Sequence, residues 1–265
     1  MSLHAFQSRL IFFPERLPGP PPLPRIPGRV VEHVSFPAAD GTALRGVWLG
    51  PEPGAARAKG APARPVVLYS HGNAGHLGYR LDRLAALAAL DVDVLLYDYR
   101  GFGESQGSPS VDGVVDDAAG ALAWIEARGV PAGRIVLYGE SIGSGVSTAL
   151  ARRRDLRVGG LVLESPFRSL RAMAGRVIPF LGPLLLSRDL PNDEVVREWR
   201  GPLLVIHSRA DEVVPFDQGR AVHEACPSAR KAFLELDGFG HNDPVWLDSR
   251  YLEAWRRFLA QAFPP

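Results

Sequence analysis

A serine framed by two glycines, Gly139-Glu140-Ser141-Ile142-Gly143, is the strongest chemical signal in the chain. It follows an apolar stretch at 134–138 and opens a helical one at 142–153, so it reads as a strand–turn–helix junction. Such a turn is tight, and Gly139 and Gly143 lack the Cβ that would collide where strand and helix press together. The turn strains the backbone of Ser141 and pushes its hydroxyl into the open at a helix N-terminus, where free N–H groups favour negative charge. A serine hydroxyl is a poor nucleophile until a base takes its proton, and the base needs an acid to orient it. Of the seven histidines, His241 is placed best, in the loop Gly238-Phe239-Gly240-His241-Asn242-Asp243 directly after a strand. Asp211 follows the strand at 203–207 and is the acid of choice, with Glu212 and Asp217 as weaker rivals. The chain order Ser141, Asp211, His241 is the one this serine turn uses.

A developing oxyanion needs two backbone N–H donors. One comes from the residue after the serine, Ile142, and the other from the loop His71-Gly72-Asn73-Ala74-Gly75 after the strand at 65–69. Asn73 is the donor expected there, with Ala74 second, and His71 is read as an anchor for the loop.

Those loops must be carried by a frame that brings them together. Short, mainly apolar runs at 65–69, 92–97, 134–138, 160–163, 203–207 and 231–236 read as buried strands. Helical patterns at 77–90, 111–128, 142–153, 216–225 and 246–263 alternate with them. That alternation predicts an α/β fold with a mostly parallel sheet covered on both faces, whose sites form at the carboxyl ends of strands. Ahead of it, 30–36 and 43–49 read as two antiparallel strands joined by an Asp40-Gly41 turn. Residues 1–29 read as a Pro-rich arm lying on the fold, extended over 17–28, and 50–65 as a loop rich in Pro, Gly and Ala. Residues 164–201 read as a small cap inserted in one domain spanning 1–265. Phe167, Ile178, Phe180 and Leu184 are its candidate substrate-binding residues, with Ala74 from the oxyanion loop; the same strip could equally pack on the body of the domain.

Composition narrows the function classes. With 30 basic and 29 acidic residues among 265, the charge balance argues against a nucleic-acid or polybasic membrane footprint as the main business. A single cysteine, Cys226, excludes an internal disulfide framework and CxxC motifs. No apolar run approaches the roughly 20 residues that span a bilayer, and the N-terminus shows no secretory pattern. These features suggest a cytoplasmic monomer or dimer, with peripheral membrane association left open. No metal or organic cofactor is implied.

At this level of detail the chain resembles the α/β-hydrolases. The matching pieces are His71–Gly75, Tyr97-Asp-Tyr-Arg-Gly-Phe-Gly-Glu-Ser105, Tyr138–Gly143, Asp211–Pro215 and Gly240–Asp243. They are most similar to the subgroup of the fungal Bem46 proteins and the animal α/β-hydrolase-domain depalmitoylases. The resemblance implies an α/β-hydrolase fold and hydrolysis of carboxylic esters or thioesters by a serine esterase. Membrane-attached relatives carry a transmembrane helix or a lipidated cysteine cluster, and this sequence shows neither. The short cap suggests short to medium acyl chains. A serine peptidase or aminoacyl amidase of the same fold is a second reading, and a non-catalytic α/β-hydrolase-like binding protein a third.

Overall fold

A computed structural model describes residues 3–52 and 64–264. The chain runs α1 (Leu3–Ile11), β1 (Phe13–Pro14), β2 (Arg29–Pro37), β3 (Ala43–Pro51), β4 (Val66–Ser70), β5 (Ala74–Gly75), α2 (Leu81–Ala88), β6 (Asp93–Asp98) and α3 (Val111–Glu126). It continues β7 (Ile135–Glu140), α4 (Ile142–Arg153), β8 (Gly160–Glu164), α5 (Leu170–Val177), α6 (Asn192–Glu198), β9 (Leu203–Ser208), α7 (Phe216–Ala225), β10 (Lys231–Leu236) and α8 (Ser249–Ala262). Eight strands form one sheet in the order β10-β9-β8-β7-β4-β6-β3-β2. β2 pairs antiparallel with β3, and β3 with β6; the remaining pairs are parallel.

The central strands are apolar on both faces along their middles, with polar residues such as Ser70, Asp98, Glu140, Glu164 and Ser208 at their ends, because both faces are covered. In β4, Val66 and Leu68 face one core layer, with Val114 and Leu122 of α3 and Val146 of α4. Val67 and Tyr69 face the other, with Leu84 of α2 and Tyr251 and Trp255 of α8. The topology carries the ends of β4, β7, β9 and β10 to one edge, where the loops of interest emerge.

Three expectations change. The helix expected over 77–90 is a 3-10 turn at Leu77–Arg80 followed by α2. The turn is pinned by the Asp98 carboxylate, which accepts from Leu77 N at 2.7 Å, and by the His76 ring, which accepts from Gly78 N. The closing helix begins at Ser249 rather than 246, because Asp248 caps it by accepting from Arg250 N. The arm begins with helix α1, and β1 then pairs in parallel with β5 of the 71–75 loop. Most of the loop expected over 50–65 lies outside the described residues. Between β8 and β9 the chain leaves the sheet for α5, a 3-10 turn at Gly182–Leu185 and α6.

Candidate active site

Ser141 sits between β7 and α4 at φ +54°, ψ −118°, a left-handed conformation that costs an L-residue energy and persists only where its surroundings impose it. Those surroundings are backbone. A Cβ on Gly143 would lie 2.0 Å from the Ser70 carbonyl oxygen, and one on Gly139 would lie 2.2 Å from that of Gly143. Ser141 N donates to the Glu164 carbonyl of β8 at 2.9 Å. The Ser141 carbonyl accepts from Ser144 Oγ at 2.6 Å, and Ser144 Oγ accepts from Asn192 Nδ2 of α6 at 3.0 Å.

The loop after β10 brings His241 over this turn, with Nε2 3.0 Å from Ser141 Oγ. His241 Nδ1 stands 2.8 and 3.0 Å from the two Asp211 carboxylate oxygens. The loop is tied at both sides: His241 N donates to Glu212 at 3.0 Å, and Gly240 N to Asp243 at 2.6 Å. Asp211 in turn accepts from the backbone N–H groups of Val213 and Val214 at 3.0 and 2.8 Å. Its Oδ2 lies 3.3 Å from His207 Nε2, which is also 2.8 Å from the Val214 carbonyl. An imidazole nitrogen facing two oxygens carries the proton, so His207 donates to both.

The electrostatics match this geometry. Burial would raise the Asp211 pKa, but hydrogen bonds from His207, His241 and Val214 outweigh it and hold the carboxyl far below its ordinary range. Burial alone would lower the His241 pKa; the hydrogen bond and charge of Asp211, with Glu140 and Glu212 further out, raise it above 6.5.

Beside His241 lies an open cleft of about 330 Å³, lined by Ala74, Tyr79, Arg80, Glu140 and Trp246 among others. Arg80 and Arg83 reach Glu140 at 3.3 and 3.4 Å, and Arg83 reaches Glu164 at 2.9 Å. Burial would raise the Glu140 pKa, yet the two guanidiniums and the Tyr69 hydroxyl bring it down to about 2. Among the described residues, no group of three or more His, Cys, Asp or Glu side chains could hold a metal ion.

Residues 61–195 match the model of the serine aminopeptidase S33 hydrolase family. An uncharacterized protein of Mycobacterium tuberculosis is 36% identical over 98% of this chain and 90% of its own length. Protein bem46 of Schizosaccharomyces pombe is 34% identical over 75% of this chain and 68% of its own length. The chain belongs to the α/β-hydrolases, in the bem46-like subgroup. An esterase of Pyrococcus furiosus shares the fold, with a TM-score of 0.70 at 18% identity over 94% of this chain and 97% of that one.

In this α/β-hydrolase the expected site residues fall into two groups. Ser141, His241 and Asp211 meet in one line, and Ile142 opens α4, so its N–H has no partner within the helix. Asn73 is fixed by the N-terminal arm: its carbonyl accepts from Phe13 N at 2.8 Å, and its side-chain amide donates to the Ile11 carbonyl at 2.7 Å. Ala74 is exposed on the cleft wall. The residues of the insert stand apart. Phe167 is buried against Leu190 and Gly145, and its carbonyl accepts from Asn192. Ile178 lines a separate apolar groove beside α1. Phe180 is 92% and Leu184 74% exposed, and neither lines the cleft beside His241. Ser144 and Asn192 give no signal in the sequence, and His207 reads there only as the end of a strand. All three act at second hand, through contacts between elements that their spacing does not reveal.

His207 gives a prediction of its own. His207→Leu removes a charge-assisted hydrogen bond worth about 1.5–3 kcal/mol in a buried setting. Hydrolysis should fall roughly tenfold in kcat with KM little changed. The acid limb of the pH profile should move upward, because the Asp211 charge then acts on His241 alone. His207→Gln keeps a donor and should recover most of the rate. Equal profiles for parent and His207→Leu would show that the contact is idle.

Proposed function

We propose that this α/β-hydrolase cleaves carboxylic esters, or thioesters, of short to medium acyl chains through Ser141, His241 and Asp211. The observation that carries this reading is the unbroken line from Ser141 Oγ to His241 Nε2 at 3.0 Å, and from His241 Nδ1 to Asp211 at 2.8 Å. His241 takes the Ser141 proton as Oγ attacks the carbonyl carbon. The backbone N–H groups of Ile142 and Asn73 receive the negative charge on the carbonyl oxygen. The Asn73 side chain is committed to Ile11, so its contribution there is through the main chain. His241 then gives the proton to the leaving alcohol or thiol, and water activated by the same ring releases the acid. Asp211 holds the imidazole with its proton on Nδ1. Residues 164–201 form a small cap that stays clear of the cleft mouth.

The description of the matching family favours amide cleavage at a free N-terminus as a second reading. The cleft argues against it. Its carboxylate Glu140 is already neutralised by Arg80 and Arg83, and Glu15 accepts from the Tyr79 hydroxyl at 2.7 Å. An ammonium group would find the inner carboxylate already paired and only the exposed Glu15 at the rim. Nitrophenyl esters and acyl thioesters of graded chain length, run beside aminoacyl anilides, test the choice. Ester turnover should lead by orders of magnitude; faster anilide turnover would reverse the assignment.

Activity should rise with pH along a limb centred above 6.5, since the folded His241 pKa is raised and the neutral ring is the base. Asp211→Asn removes the main charge that raises it, leaving burial opposed only by the more distant Glu140 and Glu212, so the limb of the residual activity should move below that of the parent. The same shift acts on stability with the opposite sign. The folded state holds the His241 proton more tightly than the unfolded one. That stabilisation is fully present below about 6.5 and is lost as pH rises through the folded pKa. Parallel rate and denaturation profiles check both signs.

A further inference from the structure

Helix α1 is fastened to the insert by one side chain. Gln7 is buried; its amide nitrogen donates to the Arg188 carbonyl at 2.7 Å, and its oxygen accepts from Ser187 N, Ser187 Oγ and Arg188 N at 2.9, 2.7 and 3.1 Å. This clamp sets α1 alongside α5 and the 182–185 turn, and an apolar groove of about 320 Å³ runs between them. On the α1 side, Phe6, Leu10 and Phe13 are exposed. On the insert side, Val177, Phe180, Leu181 and Leu184 are exposed, Val177 by 78%. Phe180 adopts φ +64°, a left-handed turn that holds its ring outward. A neutral chain of this size rarely leaves so many large apolar side chains together in water unless a partner receives them.

The charge on this face favours an anionic partner, since four arginines stand against the three aspartates that pair with three of them. Residues 3–13 and 170–188 contain no Asp or Glu, but they carry Arg9, Arg171, Arg176 and Arg188. The last three are paired with Asp189, Asp217 and Asp112, all from outside those two segments. Their guanidiniums are about half exposed, and surface pairs of this kind hold weakly and yield to a denser array of anions. Apolar tips ringed by arginine are the pattern of a surface that lies in the headgroup region of a membrane. Among the described residues no helix is long and apolar enough to cross one.

We propose that α1 and the 170–188 segment together form a docking face for an anionic phospholipid bilayer. The face adjoins the proposed active site, because the Ile11 carbonyl at its edge holds the Asn73 side chain. Its arginines lie over the headgroups, and Val177, Phe180, Leu181 and Leu184 enter the acyl boundary.

Sedimentation with vesicles of phosphatidylcholine, with and without phosphatidylglycerol, tests this on the full chain. Binding should be at least about tenfold stronger to the phosphatidylglycerol vesicles and should weaken in high salt. The double variant Val177→Asp/Leu181→Asp places two carboxylates on the face at positions already exposed. It should lose about tenfold or more in vesicle binding while hydrolysing a water-soluble short ester at the parent rate. Ser141→Ala should bind vesicles as the parent does, which separates failure of docking from failure of the catalytic reading. No binding by the folded parent to either vesicle, or equal binding by the double variant, would overturn the proposal. So would light scattering that shows a parent dimer, dissociated by the same substitutions, with no uptake on lipid.

Discussion

Ser141→Ala is expected to reduce ester hydrolysis roughly 10⁴- to 10⁶-fold, with little change in fold. The size of the loss follows from the line of contacts. With Oγ gone, His241 and Asp211 have nothing to activate, and only the oxyanion donors and the cleft remain. Ser141→Gly should be just as inactive, yet it should differ in stability. The φ of +54° is strained for any residue with a Cβ, by about 1–3 kcal/mol, and glycine adopts it freely. Glycine gives back about 0.5–1 kcal/mol in chain entropy, so a net gain of about 1 kcal/mol, a few degrees in Tm, is expected over alanine. Activity and thermal unfolding of the two variants, with fluorophosphonate labelling of the parent, check the set. A Ser141→Ala protein that turns over ester at even a tenth of the parent rate would remove the serine from the mechanism. Equal Tm values for the alanine and glycine variants would show that the turn carries no usable strain.

Much of the frame behind that line is legible in the sequence, because it rests on local signals. The strands around Val67, Val94, Leu137 and Val205 are short apolar runs, and burial on both faces is what such runs require. Gly143 could be read as a packing residue because a strand-to-helix turn leaves no room there. The Ser70 carbonyl 2.0 Å from where its Cβ would stand is the physical form of that statement. The chain order of Ser141, Asp211 and His241 then placed three loops at one sheet edge. What stayed hidden depends on partners far away in sequence. Helix α1 is nine residues long and is held by Gln7 bonding to residues about 180 positions on, so nothing in its own spacing announces it. Phe180 and Leu184 read as a roof because apolar residues usually cover something. Their exposure shows instead that hydrophobicity tells which side chains seek a partner and leaves open which partner it is. His207 reads as the end of a strand. Only the turn at 211–214, which brings Asp211 and the Val214 carbonyl back to its ring, gives it a role.

The charged cluster under the cleft was equally invisible, and it carries the largest expected effect on stability. Arg83 is buried on α2 and lies 2.9 Å from Glu164, 3.4 Å from Glu140 and 4.4 Å above the Trp246 ring, with a further hydrogen bond to the Tyr138 hydroxyl. Arg83→Met keeps most of the bulk and removes the charge. It leaves Glu164 with only the hydroxyls of Tyr138 and Tyr251, and Glu140 with Arg80 and the Tyr69 hydroxyl. Uncovering a buried charge in this way costs about 3–5 kcal/mol, near 10 °C in Tm for a domain of this size. The loss should depend on pH in a defined direction. Burial already raises the Glu164 pKa above its ordinary value, the Glu140 charge adds to it, and Arg83 is the largest opposing influence. Without Arg83 the folded pKa climbs further. A carboxyl raised in the folded state stabilises below its unfolded pKa near 4.5, and that contribution is lost as pH rises through the folded value. The gap between parent and Arg83→Met should therefore be narrow near pH 5 and wide near pH 8. Glu164→Gln added to Arg83→Met should flatten that dependence, because the orphaned charge is then absent. Chemical denaturation of the three proteins at both pH values decides it. A gap of the same size at each pH would mean that Arg83 acts through packing on Trp246 rather than through the carboxylates behind the serine turn.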